Sequence, residues 1–559
     1  MSKHIQSDLQ TCSDKGVHEA SVAYIEVNAA LDASAAAKAE KAMTLWQGLK
    51  LYPKAVAWSA AISMCLIMEG FDLVLISGLY GQPAFARRFG ELQMDGSYQL
   101  SAPWQAGLNN SALCGEILGL MFVGLIADRI GYRKTLVLAL VLLTGFIFIL
   151  FFAQNLPMLA AGEVLCGIAW GAFQTLTTSY AVEVCPIVLR AYLTTYVNLC
   201  WVMGQFIASG VLKSMADKWG SLAYRLPFAL QWVWPAPLIL IMALAPESPW
   251  WLVRKSREAE AKRSLLRLTT RSDPNFDVNQ TVSMMVYTTA IEREKEAASS
   301  YSACFRGTNL RRTEICCMVW AIQILCGGYM MGFSTYFYEQ AGLDPSNAFS
   351  MTLIQTAMGF VGTILSWFLI NWFGRRTLYV WGQVGMIVCL MLGALLGLAS
   401  KNHPSFNWGV GSTLMIYTLV YDASIGPVCY SLVAELSSTL LRNKTIVLAR
   451  NVYNVSGIVA NVLITRQLNP SAWNWGTSTG FFWSGSCLLC LIWTYFRLPE
   501  PKGRSFAELD ILFENNVPAR KFATTTVDTF DTSAWRGSYH KADKPKQSTV
   551  HFERQVECM

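Results

Sequence analysis

The chain has 559 residues, 53% of them hydrophobic and only 14% charged. Soluble domains carry about 25% charged residues, so this composition excludes the ordinary soluble enzyme or binding module. The net charge of +7 does not indicate a nucleic-acid partner, because the basic residues gather beside apolar segments, as in membrane proteins with positive loops inside.

In chain order, residues 1–50 are polar or Ala-rich and read as a disordered tail. They show no cleavable signal peptide, so the first membrane helix is expected to act as the targeting signal. Apolar runs of about 20 residues, enough to cross a bilayer, lie near 55–80, 106–127, 135–154, 158–181, 192–213 and 227–246. A polar stretch, 247–313, follows. Within it Glu258–Arg267 has helical periodicity, which predicts short amphipathic helices. Six further apolar runs lie near 314–338, 349–371, 377–399, 410–434, 446–466 and 476–497, and 504–559 reads as a second tail. The fold class is all-α: twelve transmembrane helices in two six-helix halves, 51–246 and 314–503. The basic loops Arg129-Arg133-Lys134, the central stretch, Arg375-Arg376 and Arg442-Lys444 fall on one side if both termini lie there, and that side is cytoplasmic. Of fifteen cysteines, Cys65, Cys114, Cys326, Cys389 and Cys490 sit inside apolar runs as small hydrophobes, so no disulfide framework is expected.

Several motifs are written twice, about 250 residues apart, the mark of a chain built from two similar halves. Glu183…Arg190 has its counterpart in Glu435…Arg442. Pro246-Glu247-Ser248-Pro249 answers to Pro499-Glu500-Pro501-Lys502-Gly503, and Gly131-Tyr132-Arg133-Lys134 to Gly374-Arg375-Arg376. Repeated halves of membrane helices read as a transporter with its substrate site where the halves meet.

The loop Gly124-x3-Asp128-Arg129-x-Gly131-Tyr132-Arg133-Lys134 resembles the signature of the major facilitator superfamily. The Pro-Glu-Ser-Pro and Pro-Glu-Pro-Lys-Gly blocks and the paired Glu-x6-Arg motifs resemble its sugar porter family. Ala161-Gly162-Glu163, Tyr192–Trp201 and Gly332–Tyr338 are similar to the fungal maltose permease branch, which moves α-glucosides with protons. Two departures point away from a simple hexose carrier. Glu163 stands where hexose porters usually carry Arg, and the seventh-helix motif reads Gln323-Ile324-Leu325-Cys326-Gly327-Gly328-Tyr329, without its second Gln and its Asn. Asn371 and Pro501 depart from the usual loop residues, and touch loop detail only.

Acids inside apolar runs are the first candidates for chemistry, since a charged carboxylate at the bilayer centre costs on the order of 3 kcal/mol by insertion scales. Glu69 and Asp72 are three residues apart and are expected to share one helix face. A coupling carboxylate loads and releases a proton; a structural polar pair is the alternative. The resemblance matches Asp72 to the Asp of proton-coupled sugar porters. It also brings Glu163 near the first helix, and three acids in one region cannot all ionise cheaply. Glu116 is a weaker candidate. Arg450 in the eleventh run either balances an acid of the other half, contacts substrate, or snorkels to the surface.

A sugar needs amides for its hydroxyls and flat aromatic faces for its C–H patches. Gln205 and Gln323 match sugar-contacting positions of the family. Asp422 and Tyr430 bracket Gly426-Pro427, which frees backbone groups and permits bending. Tyr329, Tyr336 and Asn454 complete the expected lining, with interhelical glue of about 0.6 kcal/mol the alternative for each amide. Asp128, Arg129, Arg133, Glu183, Arg190, Glu247, Arg375, Arg376, Glu435, Arg442 and Glu500 are expected to form a cytoplasmic gate. Its ion pairs between the halves would hold the outward-open state and break as the halves rock. Ordinary topology charge is the plainer reading.

The resemblance implies a proton-coupled importer of maltose-like α-glucosides in the plasma membrane. Alternatives are a facilitator or symporter of a hexose, cellobiose or a glycoside, and a non-transporting sugar sensor. The expected partners are the sugar, protons and the lipid bilayer. No nucleic acid, cofactor or metal is expected, and the chain is expected to be monomeric. An enzyme is not expected: there are five histidines, with His403 in an outer loop and the rest in the tails.

Overall fold

In lipid, every backbone N–H and C=O must be paired within its own segment, which drives apolar runs into helices. In a computed structural model of the chain, the described residues run from 43 to 525, apart from 94–95, 97, 271–275, 297–300, 401–402, 404, 439–440, 503 and 505. Among them, eleven helices are long and apolar enough to cross a membrane. In the N-terminal half these are Pro53–Leu79, Ala102–Ile130, Tyr132–Phe151, Leu156–Val184, Val188–Met215 and Leu222–Leu244. In the C-terminal half they are Pro345–Ile370, Arg375–Ser400, Phe406–Leu436, Lys444–Leu468 and Gly476–Arg497. We number these as membrane helices one to six and eight to twelve.

The expected segment 314–338 supplies the seventh, but not as one rod. It consists of Gly307–Leu325, Tyr329–Gly332 and Ser334–Gln340 in succession. Gly327 interrupts it at φ +91°, a conformation that glycine adopts at no steric cost, and Arg311, Arg312 and Glu314 make its first piece less apolar. The tenth helix breaks at Ser424, just ahead of the expected Gly426-Pro427. Proline lacks an N–H and is best tolerated in the first turn of a helix, so the break falls before it and Pro427 opens the helix Ile425–Leu436.

The chain flanking the bundle is more structured than a disordered tail. Leu45–Leu51 is a helix whose start is closed by a reciprocal Thr44–Gln47 capping box. Phe506–Glu514 is another, and its Leu509, Leu512 and Phe513 are buried beside Phe522. Arg312 holds it through Asp510 at 2.6 Å. The remaining tail residues, 1–42 and 526–559, lie outside the described residues. In the central stretch, the helices Pro249–Arg254, Glu258–Leu268 and Val278–Glu296 follow one another. The second of these buries Ala261, Leu265 and Leu268 along one face.

Small residues let helices approach where lipid gives no hydrophobic drive between them. A Cβ on Gly70 would lie 2.0 Å from the Trp201 carbonyl oxygen, and one on Gly204 2.1 Å from that of Ile67, so the first and fifth helices touch backbone to backbone. Gly115 and Gly167 join the second and fourth helices in the same way. Between the halves, the fifth helix packs on the eighth and the second on the eleventh. At the end of the bundle where the first helix finishes, hydrogen bonds tie the halves directly. The Ser77 hydroxyl donates to the Gly332 carbonyl (2.6 Å), Lys213 Nζ to that of Ser346 (2.7 Å) and Asn469 Nδ2 to that of Leu100 (3.0 Å).

Candidate functional site: a polar cavity and its buried acids

A cavity of about 940 Å³, counting the space open to solvent, lies between the halves. The first, second and fifth helices supply Glu69, Asn109, Glu116, Trp201 and Gln205 to one wall. The other wall holds Gln323 and Tyr329 of the seventh helix, Gln355 of the eighth, Tyr421 and Asp422 of the tenth, and Arg450, Tyr453 and Asn461 of the eleventh. The amide nitrogen of Asn109 finds no acceptor among the described residues, and that of Gln323 finds no oxygen acceptor there. The Gln323 carbonyl accepts from the Tyr421 hydroxyl at 2.8 Å, which fixes the amide so that its nitrogen stays available. Donors held this way beside aromatic rings are what a polyhydroxylated ring requires.

Glu69 and Asp72 were expected to act from one face, but they serve two separate networks. Glu69 faces the cavity. Gln174 Nε2, on the fourth helix, donates to Glu69 Oε1 (2.6 Å) and to Glu116 Oε2 (3.1 Å), while its Oε1 accepts from Arg450 Nε at 2.9 Å. Arg450 Nη2 stands 4.0 Å from Glu69 Oε1. The guanidinium also lies over the rings of Tyr453 (4.4 Å) and Trp320 (4.7 Å). Its side chain is 14% exposed, so it does not snorkel; it balances acids of the opposite half.

Asp72 points away from the cavity, toward Glu163 of the fourth helix. Gln231 Nε2 donates to Asp72 Oδ1 at 2.5 Å, and neither Glu163 oxygen has a hydrogen-bond donor among the described residues. Both carboxylates are at most 1% exposed. Two buried carboxylates facing each other with a single amide donor between them repel strongly unless a proton is shared.

Of the expected lining, Gln205, Gln323, Tyr329 and Asp422 are on the cavity wall. Tyr336, Tyr430 and Asn454 are not among the wall residues. Tyr336 and Asn454 are buried elsewhere between helices, and Tyr430 packs edge-on against Trp320 at 4.9 Å. Sequence reasoning left Trp201 unassigned and missed Asn109, Gln174, Gln231, Gln355, Tyr453 and Asn461. Their only signal was an amide or aromatic side chain inside an apolar run.

The motif residues lie at the opposite end from the inter-half hydrogen bonds. Gly131 (φ +96°) and Gly374 (φ +85°) make the same turn in each half, and a Cβ on either would collide with the Glu247 or Glu500 carboxylate. Glu247 accepts from the backbone N–H of Tyr132 (3.0 Å) and of Arg133, and Glu500 from those of Arg375 (3.0 Å) and Arg376 (2.9 Å). Burial lifts the Glu247 carboxyl above its ordinary range, against the pull of these N–H groups. Glu183 pairs with Arg254 at 2.7 Å and accepts from the Tyr132 and Ser248 hydroxyls, and Glu435 pairs with Arg375 at 2.9 Å. Arg190 Nε donates to the Cys185 carbonyl, and Arg376 Nη2 to that of Tyr495. Asp128 and Arg129 are exposed, and Arg442 opens the eleventh helix. Neither of these ion pairs joins the two halves: Arg375–Glu435 lies within the C-terminal half, and Glu183 is held by Arg254 of the central stretch.

The model of the family described as "Sugar (and other) transporter" matches residues 58–513. The chain belongs to that family. Among its members, the general alpha-glucoside permease of Saccharomyces cerevisiae is 45% identical over 510 residues, covering 90% of this chain and 82% of the relative. The alpha-glucosides permease MPH3 of the same species is 46% identical over 506 residues (89% and 84%), and maltose permease MAL61 44% over 522 (92% and 85%). The proton:xylose symporter XylE has the same fold at 20% identity, with a TM-score of 0.67 over 83% of this chain and 99% of its own. The inward-open form of XylE from E. coli gives 0.65 at 19% identity, over 82% and 99%. This sugar transporter family accounts for the two six-helix halves, and the chain is a multi-pass membrane transporter, not an enzyme.

Proposed function

We propose that this chain imports α-glucosides, maltose-like disaccharides, together with protons by alternating access. The observation that carries the reading is the pairing of two features in one interface. Amides and aromatic rings of both halves line one cavity, and buried carboxylates of one half reach a cation of the other beside it. The 44–46% identity to permeases named for maltose and alpha-glucosides supports the substrate class.

In this reading Gln205, Gln323, Tyr329 and Asp422 contact the sugar, with Asn109, Trp201 and Asn461 beside them. The buried acids Glu69, Asp72 and Glu163, with Arg450, carry the proton coupling. The motif acids and bases form the cytoplasmic gate, whose partners are exchanged between states. The halves 51–246 and 314–503 rock about the cavity, and the arrangement with the outer end tied is inward-facing. The protein works as a monomer in the plasma membrane with both termini cytoplasmic.

The test is uptake of labelled maltose in yeast lacking its own α-glucoside carriers, with external pH recorded. Uptake with alkalinisation is expected. Uptake without alkalinisation makes the protein a facilitator, and no uptake from a surface-expressed protein sinks the substrate assignment.

A further inference from the structure

Gln174 is a neutral side chain that bonds Glu69 and Glu116, the two acids of the N-terminal wall, and the arginine of the opposite half, and none of the repeated motifs contains it. Both of its N–H donors and one acceptor position of its carbonyl are used. Two N–H bonds go to Glu69 and Glu116, and its carbonyl accepts from Arg450. An amide does not titrate, but its orientation depends on what its neighbours present. While both carboxylates are ionised they accept only, so the NH₂ end faces them and the carbonyl is left for Arg450. A protonated Glu69 instead offers an O–H, which the amide accepts by turning its carbonyl toward it. That turn swings the carbonyl away from Arg450 and leaves the NH₂ end facing the guanidinium, donor against donor.

We propose that Gln174 is a positioning residue that converts protonation of the Glu69–Glu116 pair into release of Arg450, and so links proton loading to movement of the C-terminal half. This rests on the symport reading and names the side chain through which coupling passes. Gln174 sits behind the cavity wall, so the sugar does not need it for binding. Its loss separates coupling from transport and does not abolish both.

The experiment compares Gln174→Leu and Gln174→Glu with the unmodified chain in the same yeast, at matched surface level. Three quantities are read: proton-driven accumulation, sugar exchange across equilibrated membranes, and the pH profile of uptake. Gln174→Leu should lose roughly tenfold in accumulation, within the usual range of coupling energies, and flatten the pH profile while exchange persists. Gln174→Glu offers an acceptor at neutral pH, and regains an O–H donor together with a carbonyl acceptor once protonated. Its uptake should therefore recover as the medium is acidified, with the profile displaced toward acid. Accumulation and pH profile unchanged in Gln174→Leu would overturn the proposal. So would a parallel loss of accumulation and exchange at every pH in both variants, which marks a structural role. If Gln174→Leu does not reach the surface, the acid recovery of Gln174→Glu decides, and its absence counts against the proposal. If the unmodified chain takes up sugar without alkalinisation, the symport reading itself fails; coupling lost in Gln174→Leu alone requires that reading to hold.

Discussion

At the motif-bearing end the two halves use one device. A glycine turn presents two backbone N–H groups to a glutamate, Glu247 in one half and Glu500 in the other, and a second glutamate pairs with an arginine. In the membrane interior the halves diverge. The N-terminal half buries Glu69, Asp72, Glu116 and Glu163, while the cavity wall of the C-terminal half is mostly amides, tyrosines and one arginine, with Asp422 its single carboxylate. Duplication preserved the parts that move both halves alike. The interiors differ in chemistry: one half is rich in buried acids, and on the proposed reading these carry the proton, while the amides and rings of the other contact the sugar.

The sharpest way to break this comparison is to remove the answering cation. Arg450→Leu strands Glu69 and Glu116, and breaking a buried pair in this way costs about 3–5 kcal/mol. Maltose uptake should fall below detection with the protein still at the surface; uptake above a tenth of the original would show that the acids do not need it. Next in size are Glu163→Gln and Asp72→Asn. Each should cut accumulation roughly tenfold while leaving exchange, and the double variant should be no worse than either alone, because the two act as one unit. In contrast, Asp422→Asn in the other half should raise the KM for sugar and keep alkalinisation. An uncoupled Asp422→Asn would erase the division of labour.

Packing offers a smaller test of the same contrast. Gly70→Ala drives a methyl into the Trp201 backbone, whereas Gly359→Ala meets the Asp422 carboxylate at 2.6 Å. Overpacking costs typically about 1–3 kcal/mol. The Tm in detergent should fall for both, and further for Gly70→Ala, because a backbone cannot step aside as a side chain can. The smallest effects belong to the matched ends. Glu183→Gln and Glu435→Gln each remove a partly exposed pair worth up to about 1 kcal/mol. Their uptake rates should change by the same factor, under about fivefold; a large inequality would show that the Arg254 contact to the central stretch gives the N-terminal gate a function of its own.

The helices were legible in the sequence because hydropathy over a window of membrane length is a strong, local signal, and the paired loop motifs because each is written twice. The break in the seventh helix was not read, although Gly327-Gly328 marks it: one pair of glycines does not tell a packing contact from an interruption. The division of Glu69 and Asp72 into two networks was illegible for a different reason. Spacing places both on one side of a helix, but the neighbours that separate them, Gln174 and Gln231, come from distant parts of the chain and lie in runs that periodicity reads only as apolar. The same limit put Tyr336, Tyr430 and Asn454 on the expected lining. The Arg254 partner of Glu183 follows the Pro-Glu-Ser-Pro block directly, yet only the fold turns that short helix back onto Tyr132.

The interrupted seventh helix also sets a tempo. A rigid rod that tilts over a bound sugar must drag its whole length through the neighbouring packing. At Gly327–Gly328 the i→i−4 ladder gives way to i→i−3 bonds, so bending there severs few further bonds. The Gly332 carbonyl freed at one joint is the one that the Ser77 hydroxyl engages across the halves. A contact of that kind is worth about 1 kcal/mol net, little more than thermal agitation. That single tie between the halves is therefore one that thermal motion can open on its own.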